Sequence, residues 1–196
     1  MGLRRVGRVL APLLAVTALT AGTEISLGLL LILHLQSAFD LDPQTIALLF
    51  FPGAILLVVL PERAFDVATR LGRQRSLVLS LIAGAVFAAS LALVDTPLTV
   101  ALMWTLCAAC LAAAVPVEQS TVALASKGSL GRGTSLHQAA VLLGTIVIAP
   151  PLAAVYGELG WPTACVFIAV GLIIGAGLVP VALRALGLPN ELAPGG

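Results

Sequence analysis

The sequence predicts an all-α membrane protein with six transmembrane helices. Three observations carry that prediction. First, 60% of the 196 residues are hydrophobic and only 10% are charged, whereas a soluble globule carries about 25% charge. Mean hydropathy is +1.12, so the solvent around most of the chain is lipid. Second, the apolar residues fall in stretches that match the ~20 residues a helix needs to cross a ~30 Å hydrocarbon core. Third, all ten Lys and Arg residues (Arg4, Arg5, Arg8, Arg63, Arg70, Arg73, Arg75, Lys127, Arg132 and Arg184) lie at alternate connections. The acids Asp40, Asp42, Asp95 and Glu158 occupy the connections in between. Backbone groups in lipid must be satisfied within their own segment, so these stretches are helices and not loops.

The first span is expected from about Val9 to Leu35. Arg4, Arg5 and Arg8 followed by Val9 to Ala21 also resemble a signal peptide, with Ala18-Leu19-Thr20-Ala21 as a loose cleavage site. The apolar run continues to Leu35, nearly twice the roughly 7–15 residues of a signal core, and a spanning helix is the expectation. The second span, Thr45 to Leu60, opens on Asp42-Pro43, with proline tolerated in a first turn. The third runs from Ser76 to Val94. A tight turn at Asp95-Thr96-Pro97 leads into the fourth, Leu98 to Ala125. Ser135-Leu136-His137-Gln138 reads as a capping box for the fifth, Ser135 to Tyr156. Gly160-Trp161-Pro162 begins the sixth, Pro162 to Leu186, with Trp161 at the interfacial depth that indole favours.

By the positive-inside rule the N-terminus, the 61–75 and 126–134 loops and the C-terminus are cytoplasmic. The 36–43, 95–97 and 157–161 connections are external. The expectation is a multi-pass protein of the plasma (inner) membrane with both termini inside. Residues 1–196 form one transmembrane domain, divided into three-helix halves 1–96 and 97–196 of opposite orientation, as in inverted repeats. The net charge of +1 leaves no basic face for nucleic acid once the juxtamembrane arginines are assigned. The bilayer itself is the first partner.

Chemistry beyond packing is sparse. Cys107-x-x-Cys110 has no second pair and no nearby histidine, and with Cys165 it sits in apolar sequence, so the cysteines read as packing residues. Gly128-Ser129-Leu130-Gly131-Arg132-Gly133 lacks the Lys-Ser/Thr of a phosphate loop and reads as a flexible loop. With no catalytic constellation and no metal-ligand cluster, the sequence implies no enzyme and no cofactor. Gly171-Leu172-Ile173-Ile174-Gly175 lets helices approach closely, within the chain or between copies.

The polar residues inside the spans are the functional candidates. Glu24 lies near the centre of the first span, where a charge costs roughly 2.5–3.5 kcal/mol. At ~100° per residue, Thr17, Thr20, Glu24 and Gly28 share one helix face. That face reads as the wall of an aqueous path, with Glu24 serving proton coupling or recognition of a cationic or polar substrate. The alternative is a neutral glutamic acid bonded to a neighbouring helix. Glu118 and Gln119 follow Pro116 toward the cytoplasmic end of the fourth span, as a gate, a cavity mouth or a polar helix end. His137 and Gln138 are expected in the first turn of the fifth span, and His34 and Gln36 at the outer end of the first. A histidine there can titrate near neutral pH or simply sit at the interface.

Three stretches together resemble the major facilitator superfamily (MFS). Phe65-Asp66-Val67-Ala68-Thr69-Arg70-Leu71-Gly72-Arg73-Gln74-Arg75 is similar to the family's loop Gly-x-x-x-Asp-Arg-x-Gly-Arg-x-Arg/Lys. Arg70, Gly72, Arg73 and Arg75 match, Phe65 replaces the glycine and Thr69 the aspartate, and Asp66 stands one helical turn before Arg70 as a partial substitute. Ala149-Pro150-Pro151-Leu152-Ala153-Ala154 resembles the family's Gly-Pro-x-x-Gly-Gly, where Pro150 and Pro151 would bend the helix. Arg132-Gly133-Thr134-Ser135 before the fifth span and Gly160-Trp161 before the sixth complete the order. The resemblance implies one six-helix half-bundle, more like the C-terminal half of the family, whose complete members have two such halves. It implies secondary transport of a small-molecule substrate, with proton-coupled efflux as one form. It also implies a second six-helix half, from a homodimer or a separate chain. A self-contained six-helix exporter of another family and a non-transporting remnant or assembly subunit are the rival readings.

Overall fold

The apolar stretches become helices in the computed structural model of the chain, which describes residues 3–126, 130–188 and 190. Among the described residues there are seven: α1 (Leu3–Phe39), α2 (Pro43–Val59), α3 (Pro61–Leu71), α4 (Arg73–Leu91), α5 (Pro97–Ala125), α6 (Leu130–Leu159) and α7 (Trp161–Leu186). Five of them, α1 and α4 to α7, are each long and apolar enough to cross a membrane. A sixth crossing is made when α2, whose 17 residues reach roughly 25 Å at ~1.5 Å per residue, is counted with α3 as one broken span. Helix α2 passes into α3 through a 65° bend. Lys127, Gly128, Ser129 and Glu191 lie outside the described residues, as do the side chains of Arg4, Arg5, Arg8 and Arg63.

Helix α3 occupies most of the connection expected to be a loop at 61–75. Pro61 supplies a pre-set first turn. Ala68 is fully buried and packs with Val117 of α5, while Asp66 and Arg70 stay exposed one turn apart. The segment is an amphipathic helix that turns its small face to the bundle and its charges to water.

Capping fixes the other boundaries. The Asp42 carboxylate accepts from the Thr45 backbone N–H at 2.6 Å, and that bond holds its carboxyl below the usual carboxylate range. Thr96 accepts from Thr99 N–H at 3.4 Å to begin α5. The capping box at Ser135 does not form, because α6 starts at Leu130 and Ser135 is already helical. Its hydroxyl donates backward to the Gly131 carbonyl at 2.8 Å. Residues 130–133 are therefore the first turn of a helix and not a flexible loop. Gly133 makes that entry possible, since a Cβ there would fall on the Ser126 side chain.

The helices pack in a defined set of pairs. α1 lies against α6 and α7, α4 against α5 and α7, and α2 against α5. The α1–α6 crossing is backbone on backbone: a Cβ on Gly22 would strike Gly144, and one on Gly144 would strike the Ala18 carbonyl. The α1–α7 crossing uses Gly171 against Thr23 and Gly175 against the Thr20 methyl. The G-x-x-x-G pair thus serves packing within the chain.

Two clusters tie the helix ends. At the end carrying Asp40, Asp42, Asp95 and Glu158, Trp161 stacks on His34 with ring centroids 4.3 Å apart and planes 8° apart. Its indole N–H donates to the Leu91 carbonyl at 3.0 Å, one of the acceptors that the end of α4 leaves without an intrahelical donor. Tyr156 meets both rings edge-on. Trp161 is therefore buried in protein, with 8% of its surface exposed, and is not an anchor facing the headgroups. At the opposite, arginine-bearing end, Gly187 turns the chain with φ +62° and brings Asn190 back to α4. The Asn190 carbonyl accepts from Arg73 N–H at 2.8 Å and its side-chain oxygen from Gln74 N–H at 2.9 Å. Gly72, at φ +84°, has no side chain with which to cap α4, and Asn190 takes that role.

Candidate functional site: a carboxyl-linked cleft along α1 and α5

Three cavities follow one another along α5, the second and third also against α1. The first, about 970 Å³, opens at the arginine-bearing end between α3, α5 and α6. Glu118, Gln119, His137, Gln138, Thr134 and Phe65 are among its walls. The second is a narrow central cleft of about 110 Å³ lined by Thr17, Thr20, Glu24, Ser80, Glu118 and Thr121 among apolar neighbours. The third, about 430 Å³, extends toward the other end past Phe50, Phe87 and Trp104. The polar residue shared by the first and second is Glu118. The polar residue shared by the second and third is Glu24. Each junction is marked by a carboxyl group, and among the described residues no Lys or Arg lines any of the three.

The cleft's hydroxyls are oriented by their helices. Thr20 donates to Val16 O at 3.0 Å, Ser80 to Ser76 O at 2.9 Å and Thr121 to Val117 O at 2.6 Å. Each spends its proton on a backbone carbonyl, so what it can offer the cleft is lone pairs. Thr17 lines the cleft together with Glu118. His137 Nε2 lies 3.7 Å from Glu118 Oε1, and its Nδ1 is enclosed without a hydrogen-bond partner among the described residues.

The candidate residues divide on this geometry. Thr17, Thr20, Glu24 and Glu118 come together on the central cleft, and Gly28 continues the stripe into the third cavity. Thr20 also packs its methyl on Gly175 of α7. His137 sits two turns inside α6, beyond the first turn in which it was expected, because that helix starts early. There it faces Glu118 across the α5–α6 gap, and Gln119 and Gln138 line the same open cavity. The loop-motif residues lie outside the cleft. Arg70 and Arg75 are exposed, Gly72 and Arg73 are buried, and the turn between them is held by Asn190. Pro150 and Pro151 are exposed on α6, which stays helical through both. Lacking N–H groups, they leave the carbonyls of Ile146 and Val147 without their helical donors. His34 stacks with Trp161, away from the cleft.

Sequence reasoning missed the third cavity's rings. Trp104 lies over Gly53, donates its indole N–H to Phe50 O at 3.2 Å, and meets Phe50 and Phe87 at centroid distances of 5.4 and 6.0 Å. The four residues lie on three helices, so no local spacing announces them. Phe65, read only as a departure from the loop pattern, is a wall of the first cavity beside His137.

An all-helical chain with five to six membrane crossings around a polar, carboxyl-bearing cleft is a multi-pass integral membrane protein built to handle a solute. The sequence pattern of the Major Facilitator Superfamily matches residues 12–194, and the chain belongs to that family. No curated protein and no solved structure gives a significant match. Family membership makes the activity secondary transport, which involves no enzymatic step.

Proposed function

We propose that the chain is one half of a proton-coupled secondary transporter for a small molecule, with Glu24 as the carboxyl whose protonation accompanies substrate movement. The observation that carries this reading is the line of three cavities joined at Glu118 and Glu24, with no Lys or Arg among the described residues of their walls and His137 beside Glu118 as the one titratable nitrogen there. Two carboxyls at membrane depth require protons, a cationic ligand or a partner's cation to balance them. Glu118, with His137 3.7 Å away, is the station at the arginine-bearing mouth, and Glu24 is the inner one. Gln119 and Gln138 flank the mouth as polar contacts for entering solute.

The half-transporter reading is supported by the packing plan. The α1–α6 pair has its counterpart in α5–α2, and the α1–α7 pair in α5–α4, while α4 and α7 meet each other. This is the pattern of two three-helix repeats, 1–96 and 97–196, related by a two-fold axis in the membrane plane. A second half, a copy of this chain or a separate one, would cover the first cavity. The one-sided arginines support a plasma-membrane orientation with both termini in the cytoplasm. In that orientation, Asp66, Arg70, Gly72, Arg73 and Arg75 lie at the cytoplasmic α3–α4 junction, on which conformational change would turn.

The test is solute flux in liposomes under an imposed pH gradient, with the chain alone and with its co-purifying half. Flux should follow the gradient in the native protein and lose that dependence in Glu24→Gln. Unchanged coupling in Glu24→Gln would sink the assignment.

A further inference from the structure

The cavity beyond Glu24 has a composition unlike that of the other two. Its walls are apolar apart from one carboxyl at its inner end and the Cys107 thiol. The Trp104 indole N–H, the natural donor among its rings, is already committed to the Phe50 carbonyl. The surrounding backbone is helical, so its N–H groups are spent as well. Apart from the weak S–H of Cys107, and with Glu24 ionised, the described walls have no donor to give.

These facts select a ligand. An anion would meet Glu24 with nothing to offset the repulsion. A neutral polar molecule would find few groups for its acceptors and would lose hydration on entry. A lipophilic cation satisfies every wall: its charge faces the carboxylate, its substituents fill apolar space, and aromatic faces attract it further. The ring cluster is fixed in advance, because Trp104 is held over Gly53 and between Phe50 and Phe87. A volume of about 430 Å³ falls within the range of pockets for drug-sized ligands.

The walls come from α1, α2, α4, α5 and α7 of this one chain. We propose that the chain binds a monovalent lipophilic organic cation inside its own six-helix bundle, between Glu24 and the Phe50–Phe87–Trp104 rings. The physiological use of such a site rests on the transport reading above, whereas occupancy of the site does not require flux.

The experiment measures binding of radiolabelled tetraphenylphosphonium to the purified full chain in detergent, with triphenylphosphine oxide as the uncharged competitor. Saturable binding is expected. It should weaken about tenfold or more in Glu24→Gln, and several-fold in Phe87→Leu, the range set by losing a desolvated charge or ring contact. Glu158→Gln, an exposed acid at the same end of the bundle, should leave it unchanged. Thermal melting of each variant verifies that it is folded, and Phe87→Leu provides a second reading of the site if Glu24→Gln is not. Equal binding by native protein and both cavity variants, or equal displacement by the uncharged competitor, overturns the proposal, because apolar partition alone would explain the signal. A chain that binds the cation in a Glu24-dependent way yet moves no solute upholds the site and defeats the transport reading. A chain that shows pH-coupled flux without binding the cation does the reverse.

Discussion

Replacing Gly144 by alanine tests the seam on which the bundle is built. At this α1–α6 crossing the added methyl would fall on the carbonyl, carbonyl carbon and Cα of Ala18. All three are backbone atoms of a helix, so no side chain can swing aside. Overpacking a core costs typically 1–3 kcal/mol, and an obstacle made of backbone points to the upper part of that range. Against this, alanine is favoured over glycine in a helix interior by about 1 kcal/mol. The net expectation is a loss of about 2 kcal/mol. The reason is geometric: parting two helices by even ~0.5–1 Å forfeits a quarter to a half of each dispersion contact along the seam. Gly177→Ala is the control, since nothing lies within 4 Å of its added methyl, and it should gain up to about 1 kcal/mol. Equilibrium unfolding in mixed micelles, followed by circular dichroism, measures the difference of roughly 3 kcal/mol between the two. If Gly144→Ala proves as stable as Gly177→Ala, the backbone-on-backbone crossing is wrong. Gly22→Ala should behave like Gly144→Ala, and the double variant should lose less than the sum, because both glycines relieve one contact.

Two further outcomes follow from the helix ends. Trp161→Phe keeps a ring against His34 but strips the donor from the Leu91 carbonyl, and its thermal stability in detergent should fall by about 1–3 kcal/mol, the cost of a buried acceptor left unsatisfied. Asn190→Ala removes the side-chain cap of α4, at a cost of about 1 kcal/mol. Hydrogen exchange should then accelerate at the Gln74 amide, while the Arg73 amide keeps its bond to the residue-190 carbonyl and stays slower; equal acceleration at both would mean that the whole tail has left α4.

The crossings were legible in the sequence because lipid imposes a simple length and polarity rule. The starts of α2 and α5 were legible from Asp42-Pro43 and the turn at Asp95-Thr96-Pro97, although the capping bonds of Asp42 and Thr96 were not read. Glu24 announced itself by its depth, and its stripe with Thr17 and Thr20 follows from helical periodicity. What escaped was of two kinds. Helix α3 and the early start of α6 were hidden by polar residues and glycines that read as loop. Yet Pro61 and the spacing of Ala64, Ala68 and Leu71 carry a helical signal in α3, while the start of α6 depends on Gly133 meeting Ser126 in space. The second kind is wholly tertiary. Gly22 and Gly144 are unremarkable in a chain with 19 glycines until they face one another. Likewise Trp104, Phe50 and Phe87 become one wall, and Asn190 a cap, only once the helices are packed.

The spent hydroxyl protons of Thr20, Ser80 and Thr121 would orient any water that enters the central cleft. A water molecule there needs two to four polar partners, and these three walls offer it only acceptors. Its hydrogens must point outward to them, leaving its oxygen turned inward with lone pairs exposed. Water ordered in that sense is a proton acceptor by orientation. On the proton-coupled reading proposed above, an excess proton passing between Glu118 and Glu24 would meet solvent already turned to receive it.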